Sequence, residues 1–251
     1  MDPPAGPLLL LGAGVLAGAM NALAGGGSFV SLPALVLAGL PSTVANASST
    51  VALLPGAFAS SWAYRRDFHR LEGVPIRLFL AISVVGGLIG AALLLVTTAD
   101  AFDKIVPWLM LTATAAFAFG PRLGEALRRR RILGPGIMTP VHAALSVYGG
   151  YFGGGVGIMM LAAWSLLVRA DLKALNPYRI LMIAACNVAA AGFFIVAGAV
   201  SWPETLTMLA GTVAGGYAGA HLARRLPLAV LRTVAIGLGS AMTLLFFLRA
   251  A

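Results

Sequence analysis

Gly25-Gly26-Gly27, followed by Ser28, recurs 128 positions later as Gly153-Gly154-Gly155. A glycine turn leading into a helix presents several main-chain N–H groups with no side chain in the way. The helix start adds a partial positive charge, so the pair reads as an anion-binding arrangement. Close helix packing is the competing use of such glycines. Hydroxyl and amide groups stand around both runs. Asn21, Asn46, Ser48, Ser49 and Thr50 mark the first half, and Tyr151, Asn176 and Asn187 the second. Such donors suit a sulfur or carboxyl oxyanion, and Asn46 pairs with Asn176 at an offset of 130. His142 lies in apolar sequence and is a candidate for a proton or substrate contact, since an intramembrane ionisable group is a functional candidate by default. Arg179, near a helix start, is read as snorkelling to the interface in preference to lending charge to an entering anion.

The rest of the chain offers little other chemistry. Its eight acids, Asp2, Asp67, Glu72, Asp100, Asp103, Glu125, Asp171 and Glu204, fall at an end or between apolar segments. That argues against a buried carboxylate relay and against an intramembrane hydrolase. Cys186 is the only cysteine, which excludes an intramolecular disulfide and any multi-cysteine metal site. No catalytic residue, metal or cofactor is expected.

The elements that must hold these groups are membrane helices. Of 251 residues, 60% are hydrophobic and 10% charged, far below the roughly 25% charged residues of soluble domains. Mean hydropathy is +0.95. The net charge of +9 sits in short loops, with Arg122 and Arg128 to Arg131 as its largest cluster. That is the positive-inside pattern and implies anionic lipid contacts; nucleic acid is excluded as a partner. The first apolar stretch has no basic residue before it and is read as retained rather than cleaved.

Apolar segments fall at about 7–24, 27–40, 43–64, 75–97, 103–119, 136–152, 155–168, 178–198, 204–222 and 228–248. The two glycine runs each divide a pair of pieces short for a full span. A second match links 85–91 (VGGLIGA) with 214–220 (AGGYAGA) at an offset of 129. Residues 1–120 thus read as a first transmembrane repeat, 121–135 as a basic cytoplasmic linker and 136–251 as a second repeat. Matched loops carry opposite charge bias. Arg65, Arg66, Arg70 and Arg77 face a mate near 198–205 with no basic residue, and Asp100 and Asp103 face a mate holding Arg224, Arg225 and Arg232. The halves are therefore expected to be inverted. Inversion needs the chain to turn back at each glycine run, giving a helical hairpin plus three spans per half, with both termini outward.

Gly18 to Leu35 (GAMNALAGGGSFVSLPAL), with Ala45 to Thr50 (ANASST), resembles the first-repeat signature of the sulfite exporter TauE/SafE family. Tyr148 to Leu161 (YGGYFGGGVGIMML) is similar to its second repeat. The likeness covers nearly the whole chain. It departs from a strict duplication where Leu161 stands for Pro33, and where Asn176-Pro177-Tyr178-Arg179 replaces the pattern after Asn46. The resemblance implies a multi-pass permease of the bacterial inner membrane for small anions such as sulfite, sulfoacetate and other organosulfur or organic anions.

The expectation is an all-α secondary transporter working by alternating access around the two glycine tips. Its partners would be a small anionic substrate, anionic lipids and a coupling proton or sodium ion. Gly25, Gly26, Gly27, Ser28, Gly153, Gly154 and Gly155 would hold the charge, and the amides and hydroxyls above would orient it. An anion channel is the nearest alternative, and an intramembrane lipid-phosphate enzyme a more remote one.

Overall fold

The computed structural model describes residues 6–63, 75–130, 135–167, 172–223 and 228–250. They form ten helices and no strand among the described residues: α1 (Pro7–Ala24), α2 (Ser28–Leu37), α3 (Ser42–Ala63), α4 (Ile76–Val96), α5 (Ala99–Arg130), α6 (Pro135–Tyr151), α7 (Val156–Leu167), α8 (Leu172–Val196), α9 (Trp202–Ala223) and α10 (Leu228–Ala250). The segment assigned to the linker continues α5 as helix up to Arg130. Most of the loop arginines that bias the two halves, Arg65, Arg66, Arg70, Arg224 and Arg225, lie outside the described residues.

Helix length separates two kinds of element. The 21 residues of α4 rise about 31 Å, enough to cross the hydrocarbon. The 10 residues of α2 and 12 of α7 rise only about 15 and 18 Å, roughly half the thickness. Both short helices begin at a glycine break. Gly25 ends α1 in the left-handed region at φ 72°, with its N–H bonded to Asn21 O at 3.0 Å. Gly153 at φ 76° and Gly155 at φ 73° do the same after α6. An L side chain at such a φ costs about 1 kcal/mol or more, which explains why glycine stands there.

After each break the chain runs back. A methyl on Gly27 would press on Ala17 O at 2.7 Å, Leu53 Cδ2 at 2.8 Å and Asn21 Cβ at 2.9 Å. Ser31 Oγ then meets Ser49 Oγ at 2.6 Å. So α2 returns along α1 and lies antiparallel to α3. In the second half Gly149 packs on Val156, and Trp164 Nε1–H donates to His142 Nδ1 at 3.3 Å. Gly157 lies against Ile183 and Trp164 stacks on Tyr178. Hence α7 returns along α6, antiparallel to α8.

The glycine motifs at 86–90 and 215–219 join the halves. Gly86 seats on Ser146, and Gly90 on Val147, Gly150 and Tyr151, so α4 runs parallel to α6. Gly215 seats on Val15 and Gly219 on Ala19, so α9 runs parallel to α1. Each motif thus grips the first helix of the other half. Backbones approach this closely only where no Cβ intervenes, the usual means of tight packing in lipid. The direction of α3 follows from three contacts with α9 and the turn before it. Ser201 N–H donates to Ser48 Oγ at 3.0 Å, Thr212 Oγ1–H to Ala52 O at 2.6 Å, and Gly56 lies beside Gly216. Since α1 and α3 both run with α9, the chain has reversed twice between them.

Candidate functional site at the meeting of the glycine tips

The two breaks touch. A methyl on Gly25 would lie 3.8 Å from Gly157 Cα, and one on Gly153 would lie 3.7 Å from Ser28 Oγ. In sequence register Gly25 matches Gly153 and Ser28 matches Gly157 within one residue. The contact is therefore reciprocal, as at a two-fold interface. Gly26, Gly27, Gly154 and Gly155 are buried, and Ser28 is half-buried. In the first tip the turn bonds begin with Phe29 N–H to Gly26 O at 3.1 Å and Val30 N–H to Gly27 O at 3.0 Å. In the second they begin with Ile158 N–H to Gly155 O at 3.1 Å. The N–H groups of Gly26, Gly27, Gly154 and Gly155 stand at the helix entry, where an α-helix has no internal acceptor to offer. Those of Gly25 and Gly153 are instead bonded back to Asn21 O and Tyr148 O.

Polar side chains fix the tips. Ser31 Oγ–H donates to Gly27 O at 3.1 Å, which leaves Ser49 as donor in the Ser31–Ser49 pair. Asn46 reaches across to the other half, where its Nδ2–H donates to Tyr151 O at 2.8 Å. Asn46 Oδ1 is buried with no hydrogen-bond partner among the described residues. Tyr148 O–H donates to Gly154 O at 2.8 Å. Asn21 flanks the first tip through its contact with Gly27.

The remaining expected residues are more dispersed. Thr50 Oγ1–H donates to Asn46 O at 3.0 Å, a bond within α3. Ser48 ties α3 to the turn before α9. The Tyr151 hydroxyl points toward Thr97 Oγ1 at 3.4 Å, and its ring lies 5.7 Å from Phe102. Asn187 is half-buried on α8, and the side chain of Asn176 lies outside the described residues. His142 is fully buried. Trp164 donates to its Nδ1, so Nε2 carries the hydrogen and reaches Ser83 Oγ at 2.9 Å and Phe79 O at 3.1 Å. Both ring nitrogens are thus engaged by the protein.

Arg179 corrects the snorkelling expectation. It is only 7% exposed, and its guanidinium turns inward. A methyl on Gly157 would lie 3.3 Å from Arg179 Nη1, and one on Gly25 3.9 Å from it. The packing of α8 antiparallel to α7 carries the side chain to the junction of the tips. The register that pairs Asn46 with Asn176 also pairs Ser49 with Arg179. That match was the signal available in the sequence.

The family model described as Sulfite exporter TauE/SafE matches residues 10–246. The chain belongs to this family. It is 29% identical over 217 residues to a "Probable membrane transporter protein" of Haemophilus influenzae, covering 85% of this chain and 84% of that one. It is 29% identical over 209 residues to "Probable membrane transporter protein YfcA" of Escherichia coli K12, covering 83% and 77%. A third relative, "Probable membrane transporter protein ORF9" of Sinorhizobium sp, is 30% identical over 215 residues, covering 84% and 80%. No solved structure matches. Family, relatives and all-helical fold together make this TauE/SafE chain a membrane transporter.

Proposed function

We propose that the protein is a multi-pass secondary transporter of the bacterial inner membrane that moves small oxyanions by alternating access. Sulfite, sulfoacetate and related organosulfur or organic anions are the substrate class. In this reading the two halves are inverted repeats, and the anion binds where the hairpin tips meet. The carrying observation is the reciprocal contact of Gly25 with Gly157 and of Ser28 with Gly153. Two half-length helices start at that junction, and their dipoles both favour negative charge there. The glycines ahead of them admit an anion to within hydrogen-bond distance of main-chain N–H groups.

Alternating access follows from the packing. The seams of α4 with α6 and of α9 with α1 bind each half's fourth helix to the other half's hairpin. A rocking of these paired units opens the junction to one face or the other without dismantling either tip. Asn46 and the Ser31–Ser49 pair keep the tips in shape during the motion, and a proton or sodium gradient supplies the drive. Gly26 and Gly154 test the site. Replacing either with leucine is expected to abolish sulfite flux into proteoliposomes while membrane insertion persists. Normal flux through both variants would make the tips packing elements only.

A further inference from the structure

A buried cation stands beside the two tips, and it belongs to only one half. Arg179 occupies the register position where the first half has Ser49. Ser49, on α3, spends its hydroxyl on Ser31 of α2, inside its own half. Arg179, on α8, instead brings Nη1 against Gly157 in the hairpin of its own half and Gly25 in that of the other. These two positions lack side chains, so the guanidinium corner faces main chain from both tips. A methyl at Gly157 would already crowd it at 3.3 Å.

A guanidinium is charged at every accessible pH, and its planar fork matches two oxygens of a carboxylate, sulfonate or sulfite. Carrying that charge into the protein interior costs several kcal/mol unless charge or hydrogen bonds compensate. An anion held between the tips would add to whatever compensation the protein itself supplies. An independent sign of a polar ligand stands at the second tip, where Asn46 Oδ1 is buried without a partner among the described residues. An acceptor there suits a ligand that also carries an O–H, as hydrogen sulfite does, or a water that accompanies a fully ionised oxyanion.

We infer that Arg179 anchors the charge of the transported anion, its fork reading two oxygens of an oxyanion held between the tips. This rests on the transport reading above and adds to it the residue that sets charge selectivity. The symmetric scaffold then carries one asymmetric charge, so a single anion, rather than one per half, occupies the junction.

The test uses the full chain in detergent and in proteoliposomes, with sulfite, sulfoacetate and acetate as probes and chloride as the comparison. In the wild type the oxyanions should raise the melting temperature in a concentration-dependent way, as any ligand of the folded state does. Arg179→Lys keeps the charge and loses the fork. Its KM for flux should rise about tenfold or more, the loss of one charge-assisted hydrogen bond, with kcat falling less. Arg179→Gln should lose both flux and oxyanion stabilisation. If Arg179→Gln fails to insert, Arg179→Lys decides. An unchanged KM in Arg179→Lys overturns the inference. If it stays unchanged while Gly154→Leu is inactive, the tip site survives without this anchor. A wild type that answers to none of the three oxyanions removes both.

Discussion

Gly90→Ala should unlock the seam between α4 and α6. The added methyl would lie 2.5 Å from Tyr151 N and 2.7 Å from Gly150 C, with Val147 O also in contact. All three are backbone atoms, so no side-chain rotation relieves the overlap. Restoring ordinary contact requires the helices to part by roughly 1 Å, and a gap of that size forfeits a quarter to a half of each neighbouring dispersion contact. Alanine also gains about 1 kcal/mol of helix propensity over glycine. The overpacking cost of about 1–3 kcal/mol outweighs that gain. Gly12 in α1 and Gly237 in α10 supply the opposite case. A methyl at either meets nothing within 4 Å, so Gly12→Ala and Gly237→Ala should stabilise by about 0.5–1 kcal/mol. Thermal unfolding of the purified protein in one detergent, with the three variants side by side, reads the sign directly. A Gly90→Ala variant as stable as wild type, or Gly12→Ala losing stability comparably, would mean that the helices do not meet in this register.

Two further outcomes follow from the polar contacts. Asn46→Ala removes the bond to Tyr151 O and leaves that carbonyl short of a partner, so stability should fall by about 1–2 kcal/mol, with sulfite flux lost beyond the loss of folded protein. His142→Phe strands the Trp164 indole N–H and should lower stability by about 1–3 kcal/mol while each folded molecule still transports. Flux abolished at unchanged melting temperature would instead put His142 on the transport path.

Much of this architecture is legible in the residues because apolar runs and glycine breaks carry its main physics. The expected segment 7–24 is α1 (Pro7–Ala24), and 75–97 brackets α4 (Ile76–Val96). The continuation of α5 to Arg130 was less legible. Its arginine-rich end has no apolar periodicity and reads as a loop when charge is taken as the boundary. α8 begins at Leu172, six residues before the expected start at 178, because Lys173, Asn176 and Pro177 interrupt the apolar run without interrupting the helix. The motif at 86–90 announced close packing but not its partner, since a small-residue stripe names no helix to receive it. Arg179 was read as snorkelling, in preference to facing an anion, for a related reason. Position along one helix suggested an interface, whereas the fold of the hairpin beside it decides where the side chain goes.

The direction of the chain in the two halves is the claim on which the rest stands. Single cysteines at Arg77→Cys, at the start of α4, and Trp202→Cys, at the start of α9, can report it in a Cys186→Ala background. An impermeant thiol reagent applied to right-side-out and inside-out vesicles reads the face of each. The account predicts that the two positions label from opposite faces of the membrane. Labelling of both from the same face would contradict it.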